Sequence, residues 1–576
     1  MHNLPISLDY SEGVDRKVLK ALTQRFCGIN RQRLERARSA LTRRQQTVLD
    51  VLPLAFHLNH PALPGYFGDC PAGLSRYEPA ADTVSAAQGL ARSFRLPRSA
   101  PRKRDLTGIF LMGSPGSLGH SVASDLDVWL CHQPGLAGQE IAALNEKAVR
   151  LSRWAAEFGI ELNIFVFCAS DYRDRLKQSE VSGESSGSAQ HFLLLDEFYR
   201  TAIHLGGQYP LWWLIPPDDE GRYTELAEIL LTRRFVREEE YLDFGALVSI
   251  PEEEYLGAGI WQLYKGIDSP WKSLLKLLLI ECYARNRRAG PLSADYKRAV
   301  FAGETCLDAL DPYVMLYRRL ERWLLASSAP SRLDLVRRAL YLKAGLPLTR
   351  ADEAAGRWQG RLLRHLVTEW EWDDGILAEL DGRNQWRPEK VVQLRKRIVA
   401  ELTHSYRLLS KLARNRELQA SIRPEDLNLL GRKLYAAFQR KAGKVEYINP
   451  GIVPSLSEEN LAFCQAAGDS ASGDAWLLFR NLDNFSDIPW ANPIRRAGSL
   501  VELVLWCHCN GLLSPVTRLN LRSSGIAMTV DGLKSMVAFL RAALPVRGEV
   551  GREALSAARR PLRHLLLVNV GVDPLS

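Results

Sequence analysis

The chain has 576 residues, 46% of them hydrophobic and 14 of them tryptophan, which excludes a disordered or low-complexity protein and leaves room for three or four domains with large cores. Its 75 basic against 66 acidic residues leave a formal charge of +9, modest for this length, which suits an anionic ligand such as a nucleotide without indicating nucleic acid. No stretch reaches the roughly 18 uncharged apolar residues that span a bilayer, the first residues lack a signal-peptide pattern, and nine scattered cysteines form no disulfide framework; together these predict a cytoplasmic protein.

In chain order, apolar residues at helical spacing predict helices over 14–25, 30–51 and 85–94, with a break at 59–65. A basic, proline-bounded connector follows at 97–104, whose Arg and Lys either hold a triphosphate or are simply solvated. The run 109–112 reads as a strand, and Leu126, Val128 and 129–131 as a second. The segment FLMGSPGSLGHSVASDLDVWLC thus places Gly113-Ser114 after the first strand and, ten residues on, Asp125-Leu126-Asp127-Val128 at the start of the second. Strand side chains alternate, so Asp125 and Asp127 share a face while Leu126 and Val128 point into the core. Two carboxylates held that close repel unless a cation lies between them, which calls for Mg²⁺ or Mn²⁺ on oxygen ligands with a phosphate ester as third party. The plain alternative is a hairpin with solvated acids; the strand context, the spacing and Ser124 just before Asp125 favour the metal site.

A helix closing at Gly159 leads into a strand over 159–167, where Glu161 and Asn163 share the face opposite Leu162 and Ile164. Glu161 is the candidate third acid, against the alternative of a strand-end Glu facing solvent. A Ser- and Gly-rich loop is expected at 182–188 and a helix at 192–205. From about 218 to 416 the pattern is overwhelmingly helical, with amphipathic runs at 333–343, 361–370 and 390–415. After Arg423-Pro424, predicted strands at 444–448, 476–479, 517–521 and 565–570 alternate with helices at 427–440, 499–510 and 533–544, a separate α/β module. Cys507-His508-Cys509 lies in an apolar run and lacks a second ligand pair at zinc-finger spacing.

The Gly-Ser, gap, Asp-x-Asp pattern resembles the signature of the DNA polymerase β-type nucleotidyltransferase superfamily, in which both acids bind metal and a third acid, more commonly Asp, comes from a later strand. A second stretch, Glu254-Tyr255-Leu256-Gly257-Ala258-Gly259-Ile260-Trp261-Gln262-Leu263-Tyr264-Lys265, closely resembles a signature of the class I, enterobacterial-type adenylate cyclases, with Leu256, Gly259 and Ile260 as departures. The segments 187–202, 267–284, 332–343 and 432–438 are similar to the same family, so the resemblance spans most of the chain. A further family signature is absent. This implies the catalytic part of a longer protein, lacking some or all of the carboxy-terminal region through which the phosphotransferase system's glucose-specific IIA protein would regulate the family.

The resemblance implies an α+β fold: an amino-terminal helical segment (1–96), a polymerase β-type nucleotidyltransferase palm (97–217), a large helical domain (218–422) and a C-terminal α/β module (423–576). The implied reaction converts ATP to 3′,5′-cyclic AMP and pyrophosphate by attack of the ribose 3′-hydroxyl on the α-phosphorus. Two Mg²⁺ or Mn²⁺ ions per site would be held by Asp125, Asp127 and Glu161, with Glu161 also a candidate proton acceptor. Gly113 and Ser114 would cradle the phosphates and Ser124 add a hydroxyl. Lys272 and Lys276, one turn apart, either grip the triphosphate, as helical-domain lysines do in related nucleotidyltransferases, or lie on a solvated face. Lys265 is a weaker candidate, and Gln190 and His191 either meet base or ribose or are structural. An intermolecular nucleotidyltransferase adding AMP to RNA, protein or a small molecule would use the same acids. An enzyme of tRNA ends would carry a more basic helical section.

Overall fold

A computed structural model describes residues 4–8, 10, 14–97, 101, 103–122, 124–174, 191–267, 269–286, 289–350, 356–414, 429, 431–433, 435, 444–449, 451–466, 475–482, 485, 492–523 and 528–544. The predicted loop 182–188, Gln190, most of the predicted helix 427–440 and the predicted strand 565–570 lie outside them. The fold is mixed α+β, largely helical with small mixed sheets. The chain packs as two compact units, one of Met1–Gly259, Leu275–Trp372 and Leu409–Ser421, the other of Ile260–Leu274, Asp373–Leu408 and Ile422–Ser576.

The first unit begins with α1 (Arg16–Ser39) and α2 (Arg43–His57). The two helices predicted at 14–25 and 30–51 are divided elsewhere. Phe26 and Ile29 are buried in α1, and their burial outweighs the roughly 1 kcal/mol helix penalty of Gly28. The break falls instead before Thr42, whose hydroxyl accepts from Gln45 N while the Gln45 side chain accepts from Thr42 N, a capping box that starts α2. After α3 (Ala81–Leu90) come β1 (Leu106–Met112), β2 (Leu126–His132), α4 (Gly138–Ala156), β3 (Leu162–Cys168), the short α5 (Ala169–Arg173), α6 (His191–Thr201) and β4 (Ile203–Gly207). The sheet order is β3-β2-β1-β4, with β2 and β3 parallel and the other pairs antiparallel. Ile109, Leu111, Leu126, Val128 and Leu130 form one face, packed with residues of α2 and α4 such as Val48, Leu52, Leu144 and Leu151. The helix predicted over 192–205 ends early: Ile203 and His204 pair with Leu111 and Phe110, so the end of that apolar run completes a sheet.

The unit continues with the two-residue strands β5 (Tyr209–Pro210) and β6 (Tyr241–Leu242), which pair with each other, and α7 (Tyr223–Thr232) between them. Then come α8 (Glu252–Gly266), α9 (Pro270–Arg285), α10 (Leu292–Phe301), α11 (Pro312–Ala326), α12 (Pro330–Ala344) and the helix Trp358–Glu369.

The second unit takes the end of α8, the start of α9, the helix Asp374–Asp381 and much of the long helix Pro388–Arg414. Its sheet has the order β10-β7-β8-β9, from β7 (Asn460–Ala466), β8 (Ala475–Arg480), β9 (Arg495–Ala497) and β10 (Arg518–Arg522), with helices Leu500–Cys509 and Val530–Ala543 following β9 and β10. Two strand expectations change here. Residues 444–448 form no ladder, Ile448 N being bonded instead to the Asn510 side chain. One of the two inner strands is the unpredicted β7, whose Ala462 and Cys464 pack with Phe479.

Candidate active site

Asp125 and Asp127 sit at the entrance of β2, half-buried, flanked in sequence by the fully buried Leu126 and Val128. Asp127 is opposite Met112 of β1 on one side and Asn163 of β3 on the other. Along the same face the next residue, Trp129, stacks on Phe198 of α6 at 4.5 Å, and Phe110 meets Phe198 edge-on. The acids therefore stand at the rim of an apolar wall, and their alternation is that expected of the DLD spacing.

The turn after β1 lies against them. Gly113 has φ +90°, a conformation costly for any residue with a side chain, and a Cβ added there would stand 3.8 Å from Asp127 Oδ2. Its N–H donates to Thr201 Oγ1 at 3.1 Å, and that hydroxyl donates to the Glu197 carbonyl, which ties the turn to the end of α6. Ser114 is buried and its Oγ has no hydrogen-bond partner, so a phosphate oxygen seated in the turn would satisfy it. The turn is then pinned to α11: Leu118 N donates to Asp311 Oδ2 at 2.7 Å, and a Cβ at Gly119 would lie 2.7 Å from the Tyr313 ring. Burial pushes the Asp311 carboxyl up to about 6, against the pull of the three backbone N–H groups it accepts.

Before Asp125, Ser124 Oγ accepts from Ser121 N at 3.0 Å, so its hydroxyl closes a local turn. His120 is buried with neither ring nitrogen hydrogen-bonded; burial, reinforced by the Lys343 charge and opposed by Asp125, pushes it down to about 4.

Leu126 N donates to the Glu161 carbonyl at 2.8 Å, which puts Glu161 at the mouth of β3 with an exposed side chain. Asn163 touches Asp127, its Nδ2 donating to Asp127 Oδ1 at 3.1 Å. Among the described residues no three His, Cys, Asp or Glu side chains form a metal-holding group, so Glu161 is not gathered with the two aspartates. Two carboxylates, an amide oxygen and an unsatisfied buried hydroxyl are hard oxygen donors, a set that fits Mg²⁺ or Mn²⁺ with phosphate and lacks the thiolates a zinc site would favour.

Lys276 of α9 is bonded through Nζ to both Glu197 carboxylate oxygens at 2.8 Å. Lys272 belongs to the second unit, as does Lys265, whose Nζ lies 5.1 Å from the Trp261 ring. His191 opens α6 with its ring 3.9 Å from that of Tyr172, whose hydroxyl donates to the His191 carbonyl. Glu254, first residue of the second sequence motif, accepts from Phe192 N and Leu193 N at 2.8 and 2.9 Å and so caps α6, the helix that carries Thr201 and Phe198. Sequence reading missed Asn163, Thr201 and Asp311 as parts of the site. Asn163 was visible through its alternation with Glu161, and Asp311-Pro312 is a helix-start signal, but nothing local marks Thr201.

Three family models match the chain in succession: adenylate cyclase NT domain over 18–213, the second domain of class-I adenylate cyclase over 250–449, and its third domain over 456–548. The adenylate cyclases of Salmonella typhimurium strain LT2 and Escherichia coli strain K12 are each 38% identical over 563 residues, covering 96% of this chain and 66% of those proteins. That of Proteus mirabilis is 36% identical, covering 96% and 65%. The chain thus spans about two thirds of the length of the curated relatives it matches. No solved structure matches. With three models in sequence order and relatives aligned along nearly its whole length, the chain belongs to the class-I adenylate cyclase family.

Proposed function

We propose that this chain converts ATP to 3′,5′-cyclic AMP and pyrophosphate, and that residues 97–217 act as a nucleotidyltransferase palm, followed by a helical domain (218–422) and an α/β module (423–576). The observation that supports this most is the pair Asp125 and Asp127 on one strand face against the glycine turn, within a chain matched along its length by adenylate cyclases. Asp125 and Asp127 would hold two Mg²⁺ or Mn²⁺ ions, and Glu161, not gathered with them, would join as the third acid only by turning its exposed side chain toward them. When bound, such ions lower the pKa of a hydroxyl and neutralise departing pyrophosphate. The Gly113 turn binds the phosphates through backbone and Ser114 Oγ, and Ser124 adds a second hydroxyl. Glu161 takes the 3′-hydroxyl proton, and its exposed side chain can pass that proton on to water. Lys276 meets the triphosphate by leaving Glu197. Much of the rate enhancement in this scheme is positioning, since nucleophile and target belong to one molecule.

No helix of the described residues is long and apolar enough to cross a membrane, and we propose a cytoplasmic enzyme, with any regulation by the phosphotransferase-system IIA protein passing through the family's carboxy-terminal region rather than through these residues. The test is incubation with ATP and Mg²⁺ or Mn²⁺, with and without Asp127→Asn, resolving products by chromatography and mass spectrometry. Cyclic AMP with pyrophosphate, lost in the variant, is expected. AMP transfer to an added acceptor, with no cyclic AMP formed, would overturn the cyclase reading.

A further inference from the structure

Asn163 is opposite Asp127 in the parallel register of β2 and β3, and its Nδ2 donates to Asp127 Oδ1 at 3.1 Å. That bond engages one carboxylate oxygen, and the other, Oδ2, is the one on the side of the Gly113 turn, 3.8 Å from where a Cβ would stand at that glycine. Asn163 itself has little freedom, because Leu162 is buried in the core on the opposite face and Ile164 packs against the same core. A strand held by its neighbours carries the amide, and the amide sets the rotamer of the acid. Divalent ions that demand near-ideal oxygen geometry bind best to carboxylates already oriented, and partners that orient ligands matter nearly as much as the ligands.

We infer that Asn163 is the positioning residue of the aspartate pair: its amide holds Asp127 so that Oδ2 faces the glycine turn where metal and phosphate meet. Glu161, one pleat earlier with its side chain exposed, does not touch Asp127 in this way. The inference rests on the metal-site reading above.

The experiment measures Mn²⁺ binding to the whole chain, without nucleotide, by electron paramagnetic resonance of the free ion, since a triphosphate would itself sequester the metal. The variants are Asp127→Asn, Asn163→Leu, which is nearly isosteric but has no donor, and Asn163→His, whose ring Nδ1–H takes the place of the amide Nδ2–H. Circular dichroism checks folding. Asp127→Asn is expected to abolish binding. Asn163→Leu should weaken it by about ten- to a hundredfold, with kcat falling while KM for ATP changes little, and Asn163→His should restore most of the affinity. Wild-type affinity in the leucine variant, or equal weakening in leucine and histidine variants, would overturn the positioning role while leaving the aspartate site standing. Unchanged Mn²⁺ binding in Asp127→Asn would instead overturn the site itself. If leucine prevents folding, Asn163→Ala supplies the same comparison against histidine.

Discussion

Replacing Asp311 by alanine should loosen the phosphate-side turn from a distance of many residues. The Asp311 side chain is buried and serves two elements at once: Oδ1 accepts from Tyr313 N and Val314 N at 2.9 and 3.1 Å, capping α11, and Oδ2 accepts from Leu118 N at 2.7 Å. Loss of the cap costs about 1 kcal/mol. The stranded, buried Leu118 N–H costs a further 1–3 kcal/mol or so, giving roughly 3 kcal/mol for the pair of effects. At 1.4 kcal/mol per factor of ten, local opening becomes about a hundredfold more frequent. Hydrogen–deuterium exchange with mass spectrometry reads this directly: in Asp311→Ala, peptides covering 113–122 and the first turns of α11 should exchange about a hundredfold faster, while β7 is unaffected. Asp311→Asn sharpens the test, because its remaining oxygen can still cap α11 whereas its NH₂ would face the Leu118 N–H. Only the 113–122 peptide should then loosen. Wild-type exchange of that peptide in Asp311→Ala would refute the claim that this carboxylate anchors the turn.

The buried pair of Lys297 and Glu220 gives a second prediction. Lys297 is fully buried and pushed down to about 8 by burial, with Glu220 pulling it back up across a 2.6 Å contact, while Glu220 also accepts from Trp212 Nε1 and Leu247 N. Glu220→Gln should cost about 3–5 kcal/mol in urea unfolding, and the double variant with Lys297→Met should recover much of it; a single-variant cost below about 1 kcal/mol would count against the pairing. A third concerns acid. Burial pushes both His120 and His204 down to about 4, below the ordinary histidine value of 6.5. Between those values the unfolded chain binds more protons than the folded one, so stability falls as pH drops through that window, by up to about 1.4 kcal/mol per pH unit for each histidine. His204→Gln should therefore show a shallower acid slope in unfolding experiments, and parallel slopes would refute the assignment.

What could be read from residues alone is what depends on short-range periodicity. The DLD alternation put both acids on one strand face, the Gly-Ser placed a tight turn before them, and family-like segments along the chain pointed to the fold's relatives. These are local because a pleat repeats every two residues and a turn needs a glycine within a few positions. The limits were equally local: α1 and α2 divide at a capping box rather than at Gly28, and Ile203 leaves its helical run to complete a sheet. The partners of the acids were decided only by tertiary structure. Register between β2 and β3 chose Asn163 rather than Glu161 to touch Asp127; α11, nearly two hundred residues away, supplied Asp311 to pin the turn, and α6 supplied Thr201. Strand register and helix docking are settled by burying one shared core, so no window of sequence around the aspartates contains the residues that hold them in place.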